Sequence, residues 1–589
     1  MAVRYASIII DISHESVDRI FQYRIPEQLQ EEVRVGSQVR VPFGSGNRSR
    51  KGYVVEITEK AAFDEARIKE VAGLAKGSVT ADTRLLELAW WMKERYGSTM
   101  HQALKTVLPV KRKVKARNKQ VVKSMVEDER VREEKRKESV ISLNQEQQQV
   151  VDAFRGDFDR GEQTPYLIHG ITGSGKTEVY MAMIDHVLAS GRQVIVLIPE
   201  IALTFQTVMR FYARFGEKIC VMHSRLSEGE RYDQFDRARR GEASIMIGAR
   251  SALFAPFDRL GLIIMDEEHE GAYRSEGAPR YHAREVAEHL ARTSGGFLVM
   301  GSATPSVEAY SKAEAGIYRL FCLKRRAGAG SVPASTEIVD MRREMGEGNK
   351  SIFSRRLQEL IRDRLDKGEQ MMLFMNRRGY SSFVSCRSCG NAIKCPHCDV
   401  SLTLHNNRRL TCHYCGYTIP LPGTCPSCGS EYLAGFGVGT QKIEEMAARM
   451  FPGARILRMD LDTTSRKGGH EAILAAFSRG DADILIGTQM IVKGHDFPGV
   501  TLVGILAADV SLYAPDFRCV ERTFQLLVQA AGRAGRGQRP GIAVIQAYIP
   551  EHYGIQAAAA QDYAAFYRQE MGDRKLMHYP PASHMLGLQ

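Results

Sequence analysis

From Tyr5 to about Val55 the apolar positions come in short β-branched runs, YASIIIDI, FQYRIP, SQVRVPFG and KGYVVEI, separated by Gly, Pro and charged residues. Runs of this length with this punctuation predict the strands of a small β-barrel or open sheet. From Asp82 to Leu108 the spacing becomes helical and sets Leu85, Leu88, Trp91 and Tyr96 near one face. Trp90 and Trp91 are expected to be core or edge packing. Periodicity is then lost, and Lys111–Lys123 carries seven basic residues and no acidic one, the pattern of a solvated linker or of a nucleic-acid backbone contact. Farther on, the strand-like PYLIH precedes the helix-like TEVYMAMIDHVL, and LGLIIMDEEHE reads as a buried strand that ends in acidic residues.

A chain of 589 residues exceeds what one hydrophobic core organises, so three or more domains are expected. The apolar fraction of 44% is that of a soluble protein, no run of about 18 apolar residues occurs, and Asp11 interrupts the apolar start. Neither a membrane span nor a signal peptide is predicted, and the expected location is cytoplasmic. A net charge of +12 and a pI near 9.1 suit a polyanionic partner such as nucleic acid.

Eight of the eleven cysteines form four CxxC pairs, Cys386-Cys389, Cys395-Cys398, Cys412-Cys415 and Cys425-Cys428. In the cytosol such pairs point to a metal and not to disulfides. Each CxxC turn offers two thiolates to one ion, so four turns fill two tetrahedral sites and leave no position for water. That favours structural zinc over catalytic zinc, and two zinc ions over an iron–sulfur cluster. Spacing alone allows a nested or a crossed pairing. His397, His405 and His413 are expected at the surface, and Cys220, Cys322 and Cys519 as buried or inert thiols.

Gly170-Ile171-Thr172-Gly173-Ser174-Gly175-Lys176-Thr177 is a full GxxxxGKT between a strand and a helix. Its glycines let backbone N–H groups wrap phosphates at a helix N-terminus, Lys176 reaches the β and γ phosphates, and the Thr177 hydroxyl suits Mg2+. At the end of LGLIIMDEEHE, Asp266 is placed to hold Mg2+ through water and Glu267 to activate the attacking water. Two acidic residues at a strand end can also be a solvated turn; the phosphate loop favours the catalytic reading.

The order DEEH, Gly301-Ser302-Ala303-Thr304-Pro305 and Gln529-Ala530-Ala531-Gly532-Arg533-Ala534-Gly535-Arg536 resembles superfamily 2 helicases. That resemblance implies an α/β fold of two RecA-like parallel-sheet lobes, with Arg533 and Arg536 stabilising phosphate charge from the second lobe. It also implies that Gln147, in LNQEQ, reads adenine; taken alone, Gln147 is an exposed residue at a helix start. GITGSGKTEVY, LIPEIALT, HSRLSEGER, IGARSALFAP, DEEHEGAYR, RYHAREVA, GSATPS, FMNRRGY, the four CxxC pairs, RMDLDTTSRKG, IGTQMIVKGHDFPGV and QAAGRAGR follow in this order. Together they are similar to the primosomal protein N′ (PriA) family of bacterial replication-restart helicases.

This resemblance implies an ATP-dependent 3′-to-5′ DNA helicase that recognises stalled or collapsed forks and initiates primosome assembly. Its implied cofactors are ATP, Mg2+ and two Zn2+. Its implied partners are forked and single-stranded DNA, single-strand DNA-binding protein and primosome or helicase-loading proteins. The chain then divides into a small β-rich 3′-end DNA-binding domain (1–110), a basic linker (111–141), lobe 1 (142–322), and the first part of lobe 2 (323–384). A cysteine-rich zinc insert (385–430), the rest of lobe 2 (431–550) and the start of a C-terminal region (551–589) complete it. One implied zinc site holds Cys386, Cys389, Cys425 and Cys428, and the other Cys395, Cys398, Cys412 and Cys415, the nested choice. DNA contacts are implied for Phe21, Gln22, Gly44 and Lys69 in a 3′-end pocket, and for Tyr273, Arg274, Tyr281 and His282 in an aromatic-rich loop after DEEH.

The pattern departs from the family in places. Gln22 stands where relatives carry Asp in F-D-Y, and loses charge assistance as an acceptor. Pro279 and Arg280 occupy a stretch where relatives often have Trp. The segment between Pro109 and Leu143 is too short for the relatives' winged helix, and five residues after His584 are too few for their further DNA-binding domain. Three other functions compete: a translocase that separates no strands, a zinc-stabilised DNA-structure binder with a secondary ATPase, and an RNA helicase, since motor motifs read mainly backbone.

Overall fold

The computed structural model describes residues 3–12, 14, 18–75, 82–108, 143–199, 205–224, 226–327, 334–375, 384–386, 388–405, 408–434, 439–460, 462–464, 469–492, 497–514, 516–535 and 539–585. The four strands expected at the N-terminus form as β1 (Arg4–Ile10), β2 (Ile20–Ile25), β3 (Gln38–Phe43) and β4 (Arg48–Thr58), with a two-residue β5 (Gly73–Leu74) added. They pair antiparallel in the order β2-β1-β4-β3-β5. Ala6, Ile8, Ile10, Tyr23, Ile25, Val39, Val41 and Val54 alternate into one core, which leaves Gln22 and Arg24 on the other face of β2. Gly52 lets β4 approach β1 closely, because a Cβ there would meet Ile8 Cγ2 at 2.4 Å.

The helical stretch after this sheet is two helices, α1 (Thr83–Tyr96) and α2 (Met100–Val107). Gly97 ends α1 in the left-handed region at φ 60°, and Thr99 restarts the chain with a capping box to Gln102. Trp90 and Trp91 are half-buried, so they pack at an edge. The basic segment, and with it the place of a winged helix, falls within 109–142, outside the described residues.

The chain divides into two compact units, residues 1–168 with 176–302, and residues 169–175 with 303–589. In the first, α3 (Gln145–Arg160) leads to β6 (Tyr166–Gly170), and α4 (Lys176–Ala189) begins directly after the phosphate loop. The strands β7 (Gln193–Leu197), β8 (Ile219–Met222), β9 (Ile245–Gly248), β10 (Leu260–Asp266) and β11 (Phe297–Ser302) build the sheet, in the order β6-β11-β10-β7-β9-β8. The pairings of β10 with β11 and β7, and of β9 with β7 and β8, are parallel. A parallel sheet is covered on both faces, which is why these strands read as continuous apolar runs. Helix α5 (Ala283–Ser294) packs against β10 and β11.

In the second unit, β12 (Arg319–Leu323) lies near its start, followed by β13 (Ser335–Asp340) and β14 (Gln370–Met375). Of the three thiols expected to be buried or inert, Cys220 is buried, Cys519 half-buried and Cys322 exposed on β12, which carries only Leu323 as a fully buried residue. The cysteine-rich segment holds β15 (Ser385–Cys386) paired with β19 (Leu433–Ala434), around a three-stranded sheet of β16 (Thr403–Leu404), β17 (Arg409–Thr411) and β18 (Thr418–Pro420). The strands β20 (Ile456–Met459), β21 (Ile484–Gly487), β22 (Val500–Leu506) and β23 (Ile542–Ala547) complete a six-stranded sheet, β13-β23-β22-β14-β21-β20. Met371, Leu373 and Met375 enter one core while Met372 and Phe374 enter the other, so both faces of β14 are buried.

Helices α6 (Cys519–Ala531) and α7 (Tyr563–Leu576) flank this second sheet. They are joined by Arg574, 2% exposed, whose guanidinium donates to Glu521 Oε2 at 2.6 Å and Glu570 Oε1 at 2.8 Å. Removing a shared cation strands two buried carboxylates, so Arg574→Ala is expected to cost about 3–5 kcal/mol. Chemical unfolding of the variant and parent, followed by a probe in the second unit, measures this.

Candidate functional site

In the first unit β10 delivers Asp266 to its C-terminal end, and α4 starts with Lys176. The Tyr180 hydroxyl donates to Asp266 Oδ1 at 3.0 Å. Burial first, then the neighbouring Glu267 carboxylate, pushes the Asp266 carboxyl up to about 6, while Lys176 and the Tyr180 hydrogen bond act the other way. A carboxyl in this state gains a counter-charge from a divalent cation. Glu267 is held at φ 47°, in the left-handed region that a non-glycine residue rarely takes. Its Oε2 is buried without a hydrogen-bond partner among the described residues, and His269 Nδ1 stands 3.7 Å away. His269 Nδ1 also lies 2.7 Å from Ser302 Oγ, so DEEH is held to the end of β11. Gly301 is required there: a Cβ would meet Tyr180 Oη at 1.6 Å.

The phosphate loop turns through Gly173 and Gly175 at φ 80° and 77°, and Ser174 N donates to Ile171 O at 3.0 Å. Within the second unit, residues 169–175 lie beside the end of α6. A Cβ on Gly532 would meet Thr172 Oγ1 at 3.1 Å, and Arg326 donates to Gly535 O at 3.3 Å. Arg533 is half-buried just after α6, and Arg536 lies outside the described residues. Thr177 is half-buried in the first turn of α4. Gln147 is 2% exposed, which corrects the exposed reading: it is the third residue of α3, its Oε1 accepts from Asn144 N at 2.8 Å, and its N donates to Asn144 Oδ1.

After DEEH the structure separates the four residues assigned to DNA. Tyr273 is 1% exposed and donates its hydroxyl to Asp266 O at 2.7 Å and Leu197 O at 3.0 Å. Tyr281 is 3% exposed and stacks edge-on against Phe254, with Arg250 over its ring at 5.5 Å. Buried rings present no face to a base, so both are corrected to braces of the loop. His282 caps α5 through Nδ1, which accepts from Arg284 N. Arg274 is exposed, as is Arg280. The sequence carried no signal for Tyr180, Arg284 or Glu285, whose partners come from distant strands and helices.

In the N-terminal sheet, Lys69 Nζ donates to Gly44 O at 2.9 Å, with Gly44 at φ 73°. Phe21 meets Phe43 edge to face at 5.0 Å. Gln22 instead ties down the loop after β4, since its Oε1 accepts from Ala62 N at 2.6 Å and its Nε2 donates to Lys60 O at 3.1 Å. An aspartate, one methylene shorter and without an N–H, cannot make both bonds. Gln22→Ala is expected to release this loop at a cost of about 1 kcal/mol. Faster amide exchange confined to 59–64 is the sign; unchanged exchange there would contradict it.

The cysteine sulfurs gather in two groups, Cys386, Cys389, Cys425 and Cys428, and Cys395, Cys398, Cys412 and Cys415, each with its sulfurs within 4.8 Å of one another. Cys386–Cys428, Cys389–Cys425 and Cys395–Cys415 are separated by 3.6, 3.7 and 3.6 Å. A disulfide needs about 2.05 Å. Four sulfurs on a tetrahedral ion with bonds of about 2.3 Å stand about 3.8 Å apart, so the donor sets fit zinc. His397, His405 and His413 are exposed. The segment is bonded to the second lobe through Tyr513, which donates to Gly390 O, and to the C-terminal region through Tyr579, which donates to Cys398 O at 2.9 Å.

Four family models match the chain in succession. The 3′ DNA-binding domain (3′BD) covers residues 7–109 and the type III restriction enzyme res subunit 140–307. The PriA DNA helicase Cys-rich region (CRR) domain covers 395–420 and the helicase conserved C-terminal domain 436–538. Replication restart protein PriA of Bacillus subtilis (strain 168) is 38% identical over 98% of this chain and 88% of its own length. The protein of that name from Chlamydia muridarum (strain MoPn / Nigg) is 37% identical over 99% and 86%, and that from Treponema pallidum (strain Nichols) 40% over 96% and 84%.

Proposed function

The chain belongs to the PriA family of replication restart proteins, and from that premise we propose how its residues divide the work of a replication-restart DNA helicase driven by ATP hydrolysis. The observation that carries the assignment is the buried Asp266 carboxyl at the end of β10, acted on both by Glu267 beside it and by Lys176 at the start of α4.

Backbone N–H groups of 172–177 cradle the phosphates, and Lys176 draws charge off the β and γ groups. Thr177 and Asp266 are the residues that would hold Mg2+, which would supply positive charge to the phosphates during transfer. Glu267 takes the proton of the attacking water, its buried Oε2 being directed by strain and by His269. Arg533 and Arg536 stabilise the γ-phosphate in transfer. Gln147 reads adenine with its amide, already oriented by the capping box.

DNA is the substrate, tracked 3′ to 5′, with Gly44, Lys69 and Phe21 at the N-terminal sheet and Arg274 at the exposed loop. Two Zn2+ ions hold the cysteine-rich segment rigid against lobe 2. Single-strand DNA-binding protein and helicase-loading proteins are its partners, and the cytoplasm its location; no helix among the described residues is long and apolar enough to cross a membrane. The test is ATP turnover with single-stranded DNA, forked DNA and RNA side by side, together with strand displacement on a bare fork. Turnover stimulated by RNA alone, or by DNA without strand displacement, would replace this reading by one of its competitors.

A further inference from the structure

The first turn of α5 faces two ways. Arg284, largely buried, donates through Nη1 to Glu268 Oε2 at 3.1 Å, and Glu268 belongs to DEEH and is fully buried. Its neighbour Glu285 accepts the Tyr96 hydroxyl at 2.8 Å, and Tyr96 is the last residue of α1. One turn farther along α5, His289 lies flat on Trp91 of α1 at 4.0 Å between ring centroids. Adjacent residues of one helix therefore bond to the catalytic strand end and to the N-terminal helices.

Those helices are bonded in turn to the N-terminal sheet. Asp18, two residues before β2, accepts from Met100 N at the start of α2 at 2.7 Å and pairs with Lys93 of α1 at 2.8 Å. His101 of α2 lies 2.9 Å from Asp11, just after β1. The exposure at these contacts is low: Lys93 and Asp18 side chains retain 24% and 13%, so the pair is held more firmly than a surface ion pair. A continuous bonded path thus runs from the start of β2, the strand of Phe21 and Gln22, through α1 and α5 to Glu268, next to Glu267. A chain of packed and hydrogen-bonded side chains of this kind can carry a coupling free energy between two sites.

We propose that Tyr96, Glu285 and Arg284 are positioning residues that link DNA held at the N-terminal sheet to the DEEH carboxylates, so that occupancy of that sheet by a DNA 3′ end sets the rate of ATP turnover. The inference deepens the helicase reading and rests on it. It assigns these residues no contact with DNA or ATP. Their action is to carry occupancy of the sheet to Glu267 and Glu268, not to hold those carboxylates in its absence.

The test uses the full chain and its Tyr96→Phe variant, which keeps the ring against Trp91 and removes only the hydroxyl. ATP turnover is measured without DNA, with circular single-stranded DNA, and with a fork bearing a 3′-hydroxyl at its branch; fork affinity is measured by fluorescence anisotropy. The parent is expected to turn over faster on the fork than on the circle. Tyr96→Phe should lose that excess, by at least about fivefold, the low end of common coupling between sites, with basal turnover, turnover on the circle and fork affinity unchanged. Glu285→Gln, which retains a carbonyl acceptor for the hydroxyl, should keep the excess. An excess that survives in Tyr96→Phe overturns the proposal, as does a parallel fall on every substrate, which marks a structural role. A parent that fork and circle stimulate equally also overturns it, while a parent that no DNA stimulates removes the helicase reading itself.

Discussion

Lys176→Ala is expected to abolish measurable ATP turnover, and Glu267→Gln to slow it while ATP still binds. Lys176 opens α4 immediately after the phosphate loop and acts electrostatically on Asp266. Loss of one preorganised charge in a water-poor site costs about 10²–10³ in rate even when geometry survives. Alanine's methyl group also cannot make the phosphate contact proposed for Lys176, so nucleotide affinity should fall as well. Glu267→Gln differs in kind. The amide matches the carboxylate in shape and can occupy the same strained backbone position at φ 47°, but it cannot take a proton; losing a general base costs about 10²–10⁴. Turnover with saturating single-stranded DNA, and binding of a fluorescent ATP analogue, separate the two. Normal turnover in either variant would remove these residues from the reaction, and equal loss of ATP binding in both would place Glu267 in binding.

The second large effect is expected from replacing Cys395 and Cys398 by serine. Zinc in small structural sites contributes about 10–16 kcal/mol, and half of one four-sulfur set is removed. The protein should lose one of two bound zinc ions by metal analysis. Cys412 and Cys415 share that set and should become reactive to a thiol reagent, while Cys386, Cys389, Cys425 and Cys428 stay protected. Exposure of Cys425 and Cys428 in place of Cys412 and Cys415 would point to the crossed pairing. Strand displacement should fall farther than ATP turnover, since DEEH and Lys176 lie in the other compact unit of the chain. Yet the same segment is bonded to residues just before α6 and just after α7, through Tyr414, which accepts from Phe517 N at 3.2 Å, and through Tyr579. A modest fall in turnover is therefore expected with it.

The motor was legible because its information is local. Eight consecutive residues spell the phosphate loop, and an apolar run ending in Asp266-Glu267 specifies a buried strand with charge at its tip. The same holds for the CxxC turns, whose two-residue spacing by itself presents paired thiolates. The aromatic residues were less legible. Tyr273 and Tyr281 were given DNA contacts by resemblance, but a ring in a short loop is read only through its surroundings. Here the surroundings are Leu197 and Asp266 carbonyls for one and Phe254 with Arg250 for the other. Gln22 shows the same dependence: an amide is judged by its partners, and Lys60 and Ala62 are 38 and 40 residues away. The break between α1 and α2 could have been read from Gly97 followed by a Thr99–Gln102 capping pair, a local signal that helical periodicity concealed.

By itself, then, the sequence determined which chemistry this protein carries: a phosphate loop, a DEEH strand end, arginines after α6 and four thiolate turns, each encoded within a few neighbouring residues. Tertiary structure alone decided which of these groups act on one another. Which cysteine turns share a site depends on how β15 meets β19 across the three-stranded sheet. That Arg284 turns to Glu268 while Glu285 turns to Tyr96, 189 residues earlier, depends on packing α5 between a strand and a distant helix. The physical reason is range: backbone spacing sets the direction of a side chain over one or two turns, whereas its partner is chosen by which elements bury their apolar faces together.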